Sequence, residues 1–136
     1  MYLKNIQLSQ FNENVNALVG KNGSGKTNLL DAIYYLSFCK SYFSAQDVFS
    51  MRFGSDFFAI HGDFYHRDGE NHTQISCTYR NGHKSMKANK KEYPKLSAHI
   101  GSFPVVMVSP YDSEIIHNGS EIRRKFFDAI ISQFDA

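Results

Sequence analysis

The chain has 136 residues, 42% hydrophobic and 21% charged, with a formal net charge of +2. That length makes one ordinary domain, able to bury a core without disulfides or metals, and the near-neutral balance leaves any nucleic-acid contact to local patches rather than bulk charge. The two cysteines, Cys39 and Cys77, fit neither a disulfide framework nor a CxxC site and read as free buried thiols of a reducing compartment. The six histidines lack zinc-ligand spacing. Nothing near Met1 resembles a signal peptide and no segment is apolar enough to span a membrane, so a cytoplasmic protein without a membrane partner is expected.

Along the chain, Tyr2, Leu3, Ile6 and Leu8 read as a first strand, and Asn12-Glu13-Asn14 as a turn. Val15, Ala17 and Val19 alternate and predict a second, buried strand ending at Gly20. A helix is expected from about Lys26 to Leu36, with Leu29, Ile33 and Leu36 on one face. Residues 55–90 then read as an antiparallel meander with one wet face. Its strands are Asp56 to His66, a stretch carrying Ile75, Cys77 and Tyr79, and a stretch carrying Lys84, Met86 and Ala88; turns are expected at Asp68-Gly69 and Asn81-Gly82. A short helix is expected between Tyr93-Pro94 and Gly101. Val105 to Val108 reads as a buried strand. Ser109, Pro110 and Asp112 have the makings of a capping box, and a final helix is expected from Ser120, with Ile122, Phe126, Ala129 and Ile130 on its apolar face.

The chemistry lies in Gly20-Lys21-Asn22-Gly23-Ser24-Gly25-Lys26-Thr27, which matches the Walker A pattern G-x-x-x-x-G-K-[ST] at every fixed position. Glycines let backbone N–H groups converge on one concavity, and a helix N-terminus adds its positive dipole end. Lys26 would reach the β and γ phosphates, and the Thr27 hydroxyl is a hard oxygen ligand suited to Mg²⁺. A P-loop enzyme also needs a Walker B acid after an apolar strand. Asp112 and Glu114 follow Val105–Val108 only across Ser109-Pro110, so that acid is expected beyond Ala136.

The loop with its exit, Gly20 to Asn28 and on through Asp31-Ala32-Ile33, resembles the RecF-type DNA repair ATPases, members of the SMC-like, ABC-type group. Pro110, Asp112, Ile115, Ile116, Gly119, Arg123, Arg124, Phe126 and Asp128 resemble that family's second signature. Tyr111, Asn118, Ser120 and Phe127 depart from it. Family members also have a longer excursion before the P-loop strand, where Phe11 here runs straight into Asn12; a mobile loop that helps hold the nucleotide base is expected to be missing there. The resemblance implies an α/β P-loop NTPase fold, the Walker A lobe (residues 1–136) of a larger ABC-type ATPase head with an antiparallel β meander. It implies ATP and Mg²⁺ as cofactors, bound by Gly20, Lys21, Asn22, Gly23, Ser24, Gly25, Lys26, Thr27 and Asn28. Thr27 would be the metal ligand, Lys26 a catalytic residue, and Asp112 the candidate in a Q-loop-like γ-phosphate sensor. Implied partners are double-stranded or gapped DNA, RecR- and RecO-type mediators, and a second protomer in an ATP-dependent homodimer. The implied role is recombinational repair and replication, within an SOS response, by a weak DNA-stimulated ATPase that this chain alone does not complete.

Lys84, Lys87, Lys90 and Lys91, with Arg123 and Arg124, are candidate DNA contacts, against the simpler reading of solvated faces. Phe43, Phe49, Phe53, Phe57 and Phe58 read as core rather than a base-stacking platform. Two alternatives remain open: a transporter-type ATPase subunit, disfavoured by the loop composition and Arg123-Arg124, and a small P-loop kinase, for which no lid or acceptor site is evident.

Overall fold

The computed structural model describes residues 6–9, 11–65, 71–113 and 120–134. Its elements are helix α1 (Lys26–Phe38), strands β1 (Phe57–Tyr65), β2 (His72–Arg80), β3 (His83–Ala88) and β4 (Lys91–Glu92), and helix α2 (Ser120–Ile131). Short 3₁₀ turns occupy Asp47–Ser50, Leu96–Ala98 and Pro110–Asp112.

The four strands form one antiparallel sheet in the order β1-β2-β3-β4. The Asn81-Gly82 signal makes the expected tight turn: both residues have positive φ, 50° and 78°, which matches the twist of flanking strands. Asn89-Lys90 repeats that geometry, with φ 47° and 70°, and opens the unanticipated β4. Asn89 makes this possible by continuing the pairing to β2: its N–H donates to the Gln74 carbonyl at 2.8 Å, and its side-chain oxygen accepts the Gln74 N–H at 2.9 Å. The predicted Asp68-Gly69 turn lies outside the described residues.

Side chains alternate across a sheet, so pairing fixes which rows meet the core. Ile60, Cys77 and Met86 stand opposite one another, and Gly62, Ile75 and Ala88 form the next row. Ile75, Cys77 and Met86 are fully buried, and with Tyr35, Leu36 and Cys39 of the α1 end they make the core. Gly62 is the residue that lets the helix lie this close. A Cβ there would sit 2.7 Å from Leu36 Cδ1, inside van der Waals contact. Both cysteines are free and buried; burial raises the Cys39 thiol to about 11 and the Cys77 thiol to about 12, so neither is a thiolate near neutral pH.

Five expectations are corrected. Of the expected first strand, Tyr2 and Leu3 lie outside the described residues, and Ile6 and Leu8 form no strand. Val15 to Val19 is neither strand nor buried: Val15 is 80% and Val19 93% exposed. Val105 to Val108 forms no strand, and Val108 is 77% exposed. In all three the apolar pattern is strand-like, but a strand is completed by a neighbour, and none lies beside these segments among the described residues. Phe43, Phe49, Phe53 and Phe57 are exposed, and of the five only Phe58 packs against the core. The helix expected after Pro94 shrinks to the Leu96–Ala98 turn, while α1, the Ser109–Asp112 cap and α2 form as anticipated. In α2, Phe126, Ala129 and Ile130 are half-buried and Ile122 is more exposed. One tie to this helix's end is the Val105 N–H donating to the Gln133 side-chain oxygen at 2.8 Å.

His99 is fully buried, and its Nε2 lies 2.6 Å from the Leu36 carbonyl. A carbonyl only accepts, so Nε2 carries the proton, and Nδ1 is left buried without a partner. Burial lowers the pKa of this histidine from its ordinary 6.5, with the Leu36 bond only partly offsetting it. The unfolded chain therefore binds the proton more readily. Stability contributed here is complete above about pH 6.5 and is lost as pH falls from there through the folded value. Urea denaturation across that range is expected to show a falling midpoint in the wild type and a flatter response in His99→Gln; equal slopes would contradict the assignment.

Candidate nucleotide site

The Walker A segment has the backbone its glycines predict. Gly23 (φ 77°) and Gly25 (φ 94°) are left-handed, and the Ser24 N–H donates to the Lys21 carbonyl at 3.2 Å. A Cβ on Gly20 would lie 3.0 Å from Ser24 Oγ, so the loop closes tightly on itself. Helix α1 begins at Lys26 directly after left-handed Gly25, with no side-chain cap and no acid in its first turn. The uncancelled positive end of the helix dipole faces the loop, an arrangement that favours an anion.

Lys26 folds back over this loop. Its Nζ donates to the carbonyls of Gly20 and Lys21, both at 2.8 Å, and to Ser24 Oγ at 3.5 Å. Lys26 is also one of the residues lining an open cavity of ≈ 260 Å³, with Asn22, Gly23, Gly25, Thr27 and Asn28. A triphosphate suits this donor set: backbone N–H groups, one mobile ammonium and the Thr27 hydroxyl as a hard oxygen for Mg²⁺. A larger concavity of ≈ 460 Å³ lies between α1 and β1, but Ile33, Phe64, Phe103, Pro104 and Val105 line much of it and it contains no cation. It does not suit phosphate.

Asp112 sits in the 3₁₀ turn, where its carboxylate accepts the Ser109 N–H and, at 2.5 Å, the Tyr42 hydroxyl proton. Burial works to raise its pKa, but the bonds from Tyr42 and Ser109 outweigh it and hold the carboxyl below the usual range. The same contact, added to burial, pushes Tyr42 up to about 12. Sequence reasoning missed Asp31, whose two oxygens accept the Ser41 hydroxyl (2.8 Å) and the Tyr42 N–H (2.7 Å). Its signal was available: an acid four residues after Thr27 on the same helical face. Glu114 lies outside the described residues.

The candidate DNA contacts separate. Lys84 shares the core-facing parity of Met86 and Ala88, not that of Lys87. It donates to the Cys39 carbonyl at 2.7 Å, pairs with Asp47 at 2.7 Å and lies 5.1 Å from the Tyr35 ring centre. Its charge caps the α1 C-terminus, where a cation is favourable, and it is withdrawn from any surface patch. Lys87, Lys90 and Lys91 are exposed. Arg123 and Arg124 are exposed on α2, beside an ion pair between Lys125 and Glu121 at 2.8 Å. Among the described residues α1 is the helix that packs most on the sheet, and the arginines and the meander lysines lie on separate elements. Lys84→Ala is expected to cost about 1–3 kcal/mol, because it removes the ion pair of Asp47, which retains its Tyr35 hydroxyl bond, and strands the Cys39 carbonyl, while Lys87→Ala stays within about 0.5 kcal/mol. Thermal denaturation of the two variants measures the difference, and equal effects would contradict it.

Residues 15–127 match the family described as "AAA domain, putative AbiEii toxin, Type IV TA system". The DNA replication and repair protein RecF of Phocaeicola vulgatus is 48% identical over 97% of this chain and 36% of its own length. That of Bacteroides thetaiotaomicron is 50% identical over 92% of this chain and 34% of its own. The chain therefore spans about a third of the length of the curated relatives it matches. Two solved structures of the recombination mediator protein RecF in the RecFOR pathway also match. The one described as RecF-ATP has a TM-score of 0.76 at 34% identity, covering 82% of this chain and 30% of that one. The one described as RecF-ATPrS has a TM-score of 0.77 at 35% identity, covering 84% and 31%. No helix among the described residues is long and apolar enough to cross a membrane. The chain belongs to the AAA-domain family, and in sequence and fold it is RecF-like.

Proposed function

We propose that residues 1–136 are the Walker A lobe of an ABC-type head and bind the triphosphate of Mg-ATP. The observation that carries this is Lys26, held by loop oxygens and lining an open cavity with Gly23 and Gly25 at an uncapped helix N-terminus. The N–H groups of the loop and of the first turn would take the phosphates. Lys26 would exchange its carbonyl partners for β and γ oxygens, and Thr27 would hold Mg²⁺, which supplies charge neutralisation when bound. The activity in view is that of a cytoplasmic, ATP-dependent DNA-binding protein of recombinational repair and replication, in which ATP brings two protomers together around double-stranded or gapped DNA alongside RecR- and RecO-type mediators. Lys87, Lys90, Lys91, Arg123 and Arg124 are its candidate phosphate-backbone contacts. Relatives near half identity favour this reading over the toxin named in the family description, and over a transporter subunit or a small kinase.

Calorimetric titration with Mg-ATP is expected to show saturable binding, weakened about tenfold or more in Lys26→Ala, the scale of losing charge-assisted bonds to an anion. Equal affinity in the two proteins, or no binding by folded wild type, would contradict the proposal.

A further inference from the structure

A hydrogen-bonded path leads from α1 to Asp112 that phosphate binding by itself does not require. Asp31 lies one turn beyond Thr27 on the same helical face. Both of its oxygens are committed to the segment that follows α1, one to the Ser41 hydroxyl and one to the Tyr42 N–H. Ser41 Oγ in turn accepts the N–H groups of Phe43 and Ser44, each at 3.1 Å. Residues 41–44 are thereby organised around a single helix carboxylate. From this base the Tyr42 ring stands edge-on to Tyr34 at 5.2 Å. Its hydroxyl reaches Asp112, 70 residues away in sequence. The other Asp112 oxygen is taken by the Ser109 N–H, so the carboxylate bridges the segment that follows α1 and the end of segment 105–109.

We infer that Tyr42 is a positioning residue that couples the phosphate end of α1 to residues 105–112, so that nucleotide bound at the P-loop is felt at Asp112. The inference rests on the proposed nucleotide reading. Among the described residues of this segment Val106 and Val108 are exposed, and the Val105 N–H is held by Gln133. A small displacement of α1 is therefore passed on through a short, charge-assisted bond rather than absorbed in a packed core. Tyr42→Phe removes only the hydroxyl and keeps the ring against Tyr34, so the fold is retained.

Amide hydrogen exchange, with and without saturating Mg-ATP, reads both ends at once. In the wild type, Mg-ATP is expected to slow exchange in residues 22–28 and also in 105–112. In Tyr42→Phe the slowing at 22–28 persists, while that at 105–112 falls about tenfold, the scale of one hydrogen bond to a charged group. Equal slowing at 105–112 in both proteins, or none there in a wild type whose residues 22–28 respond, would overturn the coupling and leave the nucleotide reading intact. A wild type whose residues 22–28 do not respond would overturn both.

Discussion

Everything in this chain hangs on one helix being held at one end and open at the other. The last turns of α1, Tyr34 to Phe38, are buried, with Tyr35 and Leu36 set against Ile75, Cys77 and Met86. Gly62 gives Leu36 the room to lie on the sheet. Lys84 closes the helix C-terminus through the Cys39 carbonyl. The first turn, by contrast, has no cap and no acid, and its dipole end opens onto the glycine loop. A rigid anchor at one end fixes where the other end points, which is what an anion site made of backbone donors requires.

The same anchoring explains why the connection after α1 carries so much polar structure. Asp31 organises residues 41–44, and Asp47 accepts the Tyr35 hydroxyl proton and pairs with Lys84. The loop is thus tied to α1 at both ends. Around it Phe43, Phe49 and Phe53 stay exposed, and polar contacts together with the Tyr42–Tyr34 ring contact set its course.

What was legible in the sequence was mostly local. The Walker A octapeptide specifies its own conformation, because left-handed glycines and a helix start follow from the residue types. Asn81-Gly82 specifies its turn for the same reason, and the Ser109-Pro110-Asp112 cap is equally short-range. Lys84 was readable by parity with Met86, although composition alone grouped it with the surface lysines. Val15 to Val19 and Val105 to Val108 show the opposite case. Their alternation is real, and residues 103–108 still alternate between half-buried and exposed, but alternation reports a preference that only a neighbouring strand can satisfy. The Tyr42 link to Asp112 was beyond sequence reasoning because nothing in a linear pattern pairs residues 70 apart.

In the proposed function the loop's own backbone, with Lys26, receives phosphate. Amide proton and nitrogen chemical shifts during a Mg-ATP titration test it residue by residue. Saturable shifts at Gly23, Gly25, Lys26 and Thr27, with the β2 and β3 amides unmoved, are the result this account predicts. Shifts that fall instead around the apolar concavity of Phe64 and Phe103, or that leave the loop amides where they were, would contradict it.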